Sequence, residues 1–180
     1  MIVMSVDPAL RNTGVTIYNT TLDMLIHAEL VVTAKSKDKK VKVTAELDQA
    51  TAYIAGELQR LIDDYAPDTI VFETSAAAGK SAMAARSLGI IKGVMWGVIT
   101  ANGIEAVTYT ENEVKKGVGG KRDSSKRELM DIAIKHYPQL NVKEWQNKST
   151  GELLGKFEHI ADSVCVYLTH KSKGNTCTTK

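Results

Sequence analysis

The sequence predicts an α/β protein, a five-stranded mixed sheet flanked by helices. Three strand-like runs fall within the first 33 residues, separated only by short turn-rich gaps. The hydrophobic period then switches to steps of three and four over residues 44–65. Beyond that point apolar strand-like runs alternate with helical patterns, giving the order βββαβαβα.

The elements follow in turn. Residues 2–6 read as a short buried strand, 14–18 (GVTIY) as a second and 24–33 (MLIHAELVVT) as a third. The gaps PALRN and NTTLD carry turn residues, so these three runs form an antiparallel meander. After the basic stretch SKDKKVK, residues Leu47, Thr51, Ile54, Leu58, Leu61 and Tyr65 recur on one helical face, and Pro67 ends that helix. Residues 69–73 (TIVFE) make a fourth strand, which the crossover helix sets parallel to the first. A small-residue loop then feeds a long apolar helix over about residues 81–101, and 104–109 (IEAVTY) is the fifth strand, parallel to the fourth. The loop KKGVGGKR precedes a helix from about Ser124 to His136, with Ser124–Ser125 and Glu128 as its capping signal and Pro138 as its stop. Residues 141–150 read as irregular, and a last helix runs from about Gly151 to His170. No repeat or linker divides the chain, so 1–170 reads as one domain and 171–180 as a basic polar tail.

Composition narrows the function class. The 180 residues are 43% hydrophobic and 24% charged, with a net charge of +2. That charge is uneven: residues 35–42 and 112–127 each carry +4 and residues 171–180 carry +3, which leaves −9 on the rest. Basic segments on an acidic body suit a polyanionic partner. No apolar run reads as a bilayer span, and MIVMSV has no preceding basic region, so the expectation is a cytoplasmic protein with no membrane partner. The two cysteines form no CxxC, against a structural zinc; Cys165 reads as a buried apolar residue and Cys177 lies in the tail. Gly79-Lys80-Ser81 lacks the upstream glycine of a phosphate loop, Thr74 standing there, so no nucleotide cofactor is expected.

Two parallel strands end in acids, Asp7 and Glu73. Groups at the carboxyl ends of parallel strands converge, and converging carboxylates repel unless a cation separates them. An oxygen-rich site of this kind suits Mg²⁺ or Mn²⁺. On the last helix Glu158, His159 and Asp162 fall off the apolar stripe, and His159 and Asp162 share a face at a spacing of three. Spacing alone favours a solvated helix face; an acid after each of two parallel strands together with a polar pair on the last helix shifts the balance to a metal site.

These features together resemble the RuvC-type Holliday junction resolvases of the RNase H-like superfamily. SVDPALRNTGVTIY resembles the family's first strand and its Asp-Pro-Gly-x-x-x-x-Gly pattern, with Ala9 in place of the first glycine. VFETSAAAGKSAMAARSLGIIKGV is similar to the second-acid strand, its loop and its Gly-x-x-x-Gly helix. EVKKGVGGKRDSSKRELM is similar to the basic loop and helix, and HIADSVCVYLTH to the C-terminal Asp-x-x-Asp-Ala helix. The resemblance implies an RNase H-like fold with Asp7, Glu73, His159 and Asp162 as catalytic metal ligands. It implies two Mg²⁺ ions per site (Mn²⁺ substituting), and phosphodiester hydrolysis that leaves 5′-phosphates. It further implies a homodimer making paired cuts in four-way DNA. Arg11, Lys80, Lys115, Lys116, Lys121, Arg122 and Lys126 would contact phosphates, and the helix with Gly89, Gly93, Met95, Trp96 and Gly97 would supply either the dimer face or plain core. His159 stands where the family more often has Asp, and Glu158 is the neighbouring alternative. The loop after Glu73 is one residue longer than the family pattern and lacks its wedge aromatic, which leaves open a broader branch- or flap-cutting nuclease. A non-catalytic DNA-binding protein on the same fold is the other alternative. For a phage-encoded member the location is the host cytoplasm.

Overall fold

The computed structural model describes residues 1–34, 40, 42–74, 81–119, 124–140 and 143–174. Five strands, β1 (Ile2–Asp7), β2 (Asn12–Asn19), β3 (Met24–Val32), β4 (Thr69–Thr74) and β5 (Glu105–Thr110), form one sheet in the order β3-β2-β1-β4-β5. The first three pair antiparallel, while β4 pairs parallel to β1 and β5 parallel to β4. The mixed sheet read from the sequence is therefore the one observed. The helices are α1 (Val43–Tyr65), α2 (Ala82–Asn102), α3 (Glu111–Gly117), α4 (Lys126–His136) and α5 (Phe157–Ser172).

Alternation along the central strands builds two cores. Val3 and Val71 face α4 and α5, joining Tyr18, Val164 and Tyr167, whereas Met4, Val6, Ile70 and Phe72 face α1 and α2, joining Ile54, Leu58, Ile91 and Met95. Both faces are covered, which is why β1 and β4 read as nearly continuous apolar runs. α1 closes on Ala66, whose left-handed backbone (φ 43°) lets its N–H reach the Ile62 carbonyl, and Pro67 prevents continuation.

Three sequence expectations need correction. The segment after β5 is not all loop: Thr110 and Glu113 form a reciprocal capping box that starts α3. The last helix begins at Phe157, six residues later than read, because Gln146 pairs with Leu153 in an isolated antiparallel bridge and Gly151 takes a left-handed conformation (φ 70°). Finally, α2 is long and apolar enough to cross a membrane, contrary to the reading that no run was. It is nevertheless a sheet-flanking helix, carrying Arg86 and Lys92 and burying Ile91, Met95 and Ile99 in the core it shares with α1. Met95 is thus core, while Gly89, Gly93, Trp96 and Gly97 of the candidate dimer face are exposed.

Candidate active site

Strand alternation places the two strand-end acids on one face. Asp7 shares its face with Val3 and Ser5, and Glu73 shares its face with Val71. Val6 pairs with Phe72 in the parallel ladder, so Asp7 and Glu73 sit one rung further, at the same level of adjacent strands. On the other side of β1, Asp7 pairs with Gly14 of β2. Both acids therefore face the layer that holds α5.

The first turn of α5 lies directly over this rung. A Cβ at Gly14 would stand 2.0 Å from the His159 carbonyl oxygen, so the helix approaches β2 as closely as only glycine allows. A buried hydroxyl network fixes the helix along its axis. Ser5 Oγ donates to the Ser163 carbonyl at 2.6 Å, Ser163 Oγ donates to the Ile160 carbonyl at 2.8 Å, and Thr16 Oγ1 lies 3.1 Å from Ser163 Oγ. Ser163 follows Asp162, so the same contacts that bury the helix set the height of the acid.

The result is a cluster of half-buried polar groups. His159 Nδ1 and Asp7 Oδ2 are 2.8 Å apart, with both side chains about one-fifth exposed. The Asp7 hydrogen bond raises the imidazole pKa, so His159 favours the charged form that donates to Asp7. Burial, followed by the charges of Asp7 and Glu73, pushes the Asp162 carboxyl up to about 7. Glu158 adds to that repulsion, sits 3.7 Å from His159 Nε2, and takes a 2.8 Å salt bridge from Lys126. The Lys126 amine is held protonated by Glu158 first, and it also feels Asp162 and Asp7. The structure brings Asp7 and His159 into contact and sets Asp7, Glu73 and His159 near enough for their charges to act on Asp162. The sequence did not show that Lys126 stands beside them, or that Gly14 governs the approach of α5; the glycine's signal was its spacing of seven from Asp7.

These donors fit a divalent cation in kind. They are carboxylate oxygens and one imidazole, hard ligands of the sort Mg²⁺ and Mn²⁺ accept. Burial first, and the charges of Asp7 and Glu73 second, hold the Asp162 proton, and a cation would offset the second. Among the described residues no three such groups close into a ready-made ligand cluster, and His159 turns its Nδ1 to Asp7.

The cations read from sequence divide. Arg11 is tied to Glu46 of α1 and donates to the Ala34 carbonyl at 3.2 Å, so it anchors a turn and is not free for phosphate as expected. Lys115 pairs with Glu111 at 3.0 Å, and Lys116 is exposed. Lys80, Lys121 and Arg122 lie outside the described residues.

Comparison with known proteins bears on the family and the fold. The family model for crossover junction endodeoxyribonuclease RuvC matches residues 3–170. The RuvC of Bdellovibrio bacteriovorus is 28% identical over 135 residues, covering 73% of this chain and 74% of its own. That of Chlamydia caviae is 25% identical over 171 residues, covering 94% and 91%. Among solved structures, T. thermophilus RuvC in complex with a Holliday junction substrate superposes with a TM-score of 0.71 at 19% identity, covering 100% of this chain and 98% of that one. The yeast mitochondrial Holliday junction resolvase gives 0.59 at 12% identity, covering 96% and 80%. The RNase H-like sheet, the acids at its strand ends and a family match across nearly the whole length lead to one assignment: this chain belongs to the crossover junction endodeoxyribonuclease RuvC family.

Proposed function

We propose that this protein resolves four-way DNA junctions by paired, symmetric phosphodiester cleavage, with residues 1–170 as the nuclease domain, 171–180 as a basic tail, and the cytoplasm as its place of action. Nucleases of this family are generally divalent-metal dependent. The observation that carries the reading is the meeting of Asp7, Glu73, His159 and Asp162 at the strand ends beneath the first turn of α5. These four would hold the metal, Mg²⁺ in the first instance and two ions per site, with Glu158 kept by Lys126 outside the ligand set. A divalent metal bound there supplies Lewis-acid stabilisation of the phosphate and a nucleophile at neutral pH.

The chain's own groups do the rest. Asp7 orients His159 through the 2.8 Å contact, and for both to hold a metal that contact would open and His159 would give up its proton. Asp162 gives up its proton as the site becomes cationic, so the charge it lacks near neutrality is acquired with the metal. Lys126 places a cation, beside His159, at the edge of a cluster otherwise made of carboxylates, where a phosphate diester would approach. Two strands must be cut symmetrically, which calls for a homodimer; the exposed Gly89, Gly93, Trp96 and Gly97 face of α2 is the surface we assign to it.

The test is cleavage of four-way, three-way, flap and linear DNA in Mg²⁺ and in Mn²⁺ by the protein and its Asp7→Asn variant. Paired nicks restricted to the four-way substrate, and absent from Asp7→Asn, are expected. Cutting of every branch would instead assign a general debranching nuclease, and binding without cleavage in either metal would overturn the enzyme reading.

A further inference from the structure

On the side of the strand ends away from α5, a shallow open cleft separates them from α2. Asp7, Glu73 and Thr74 form one wall, Pro8, Phe72, Leu88 and Ile91 give an apolar floor, and Lys92 stands at the rim. Lys92 is exposed and, among the described residues, has no ion-pair or hydrogen-bond partner, although Asp7 and Glu73 at the strand ends line the same cleft. Arg11, Lys115 and Lys126 are each tied to a glutamate. An ammonium left uncommitted across from two acids suits an anion that arrives with the substrate. The small apolar floor suits the flat face of a deoxyribose. A diester whose scissile phosphate lies at Asp7 and Glu73 continues into this cleft by one nucleotide.

We propose that the cleft is a subsite for the nucleotide next to the scissile phosphate, with Lys92 binding that nucleotide's other phosphate and Leu88 and Ile91 supporting its sugar. This rests on the assignment of the acids to phosphodiester cleavage. Lys92 is a positioning residue: it holds the strand in line and contributes nothing to the metal set.

The experiment compares the full-length protein with Lys92→Ala and Lys92→Arg on a synthetic four-way junction, with thermal melting as the folding control. Binding is measured in Ca²⁺ across a salt series, and nicking under single-turnover conditions in Mg²⁺. A charge-assisted phosphate contact is worth roughly tenfold in affinity, and its loss lowers the salt slope by about one per subunit. Lys92→Ala is expected to show both effects and a comparable fall in nicking rate. The Mg²⁺ concentration for half-maximal rate stays unchanged, and Lys92→Arg recovers most of the loss. Junctions carrying a single neutral methylphosphonate at successive positions then locate the contact. At one position beside the cut, Lys92→Ala no longer weakens binding. Wild-type salt slope and affinity in Lys92→Ala, or additive losses at every methylphosphonate position, would overturn the subsite. If the wild-type protein cuts no DNA, the proposed activity fails and the subsite with it; if it cuts and Lys92→Ala behaves as wild type, the subsite alone fails.

Discussion

Asp162 holds its proton to about pH 7 because burial and the charges of Asp7, Glu73 and Glu158 all oppose its ionisation, with only His159 acting the other way. A carboxyl whose pKa in the fold lies above its ordinary 3.8 favours the fold while protonated. Its contribution is full below pH 4 and disappears as pH rises towards 7. His159, raised above 6.5 by Asp7, acts in the same direction and loses its contribution as pH climbs through its folded pKa. Glu29, lowered by its His27 and Arg60 partners against burial, does the reverse and loses its contribution in acid. Chelator-treated protein should therefore be most stable near pH 5 and weaken towards pH 8. Asp162→Asn should flatten that decline and raise stability at pH 8, by on the order of 2–4 kcal/mol, while abolishing cleavage. Urea melts of both proteins at pH 5 and pH 8 in EDTA read this directly, and an equal decline in the variant would refute the assignment.

At the scale of elements, the decisive contact is α5 on β2. Gly14→Ala places a methyl against the His159 carbonyl, where backbone and not a flexible side chain must yield. The expected cost is about 2–4 kcal/mol. Single-turnover nicking should fall further than the residual folded fraction explains, because the displaced turn carries His159 and, one turn on, Asp162. Retention of wild-type rate per folded molecule would mean that the approach of α5 does not set the site. Much of this layer was legible. The meander, the crossover helix and the two strand-end acids followed from alternation, from the switch of period and from turn residues. The start of α5 was not legible, because Leu154 continues the apolar stripe while the backbone before it is held by the Gln146–Leu153 bridge. α3 was hidden in a run that composition marks as loop; its capping residues, Thr110 and Glu113, were visible but lie where β5 was thought to have just ended. The Arg11–Glu46 pair was not legible because its members are 35 residues apart and no local pattern joins them.

For the whole molecule, α2 is the surface out of balance with the rest. It is the apolar helix of the chain by length and composition, yet its buried residues are only Ile91, Met95 and Ile99. Gly89, Gly93 and Gly97 have open space where a Cβ would stand, and Trp96 is 40% exposed beside them. A second copy laid on this face would bring two helix backbones into close contact and place the two acid clusters under one symmetry axis. Gly93→Glu should therefore convert dimer to monomer in analytical ultracentrifugation without lowering the thermal midpoint of the isolated fold. It should also uncouple the two cuts, so that nicked junctions accumulate in place of resolved ones. A dimeric Gly93→Glu protein would place the interface elsewhere.

The four groups under α5 come from positions 7, 73, 159 and 162 of a 180-residue chain. During synthesis the sheet can assemble once β5 has emerged, but two of the four groups are still to be made. A ribosome-bound intermediate thus holds Asp7 and Glu73 without their partners, and the last long helix to be translated is the one that completes the blade. On the proposed assignment, chain order leaves the cutting centre unfinished until the helix that closes it has docked.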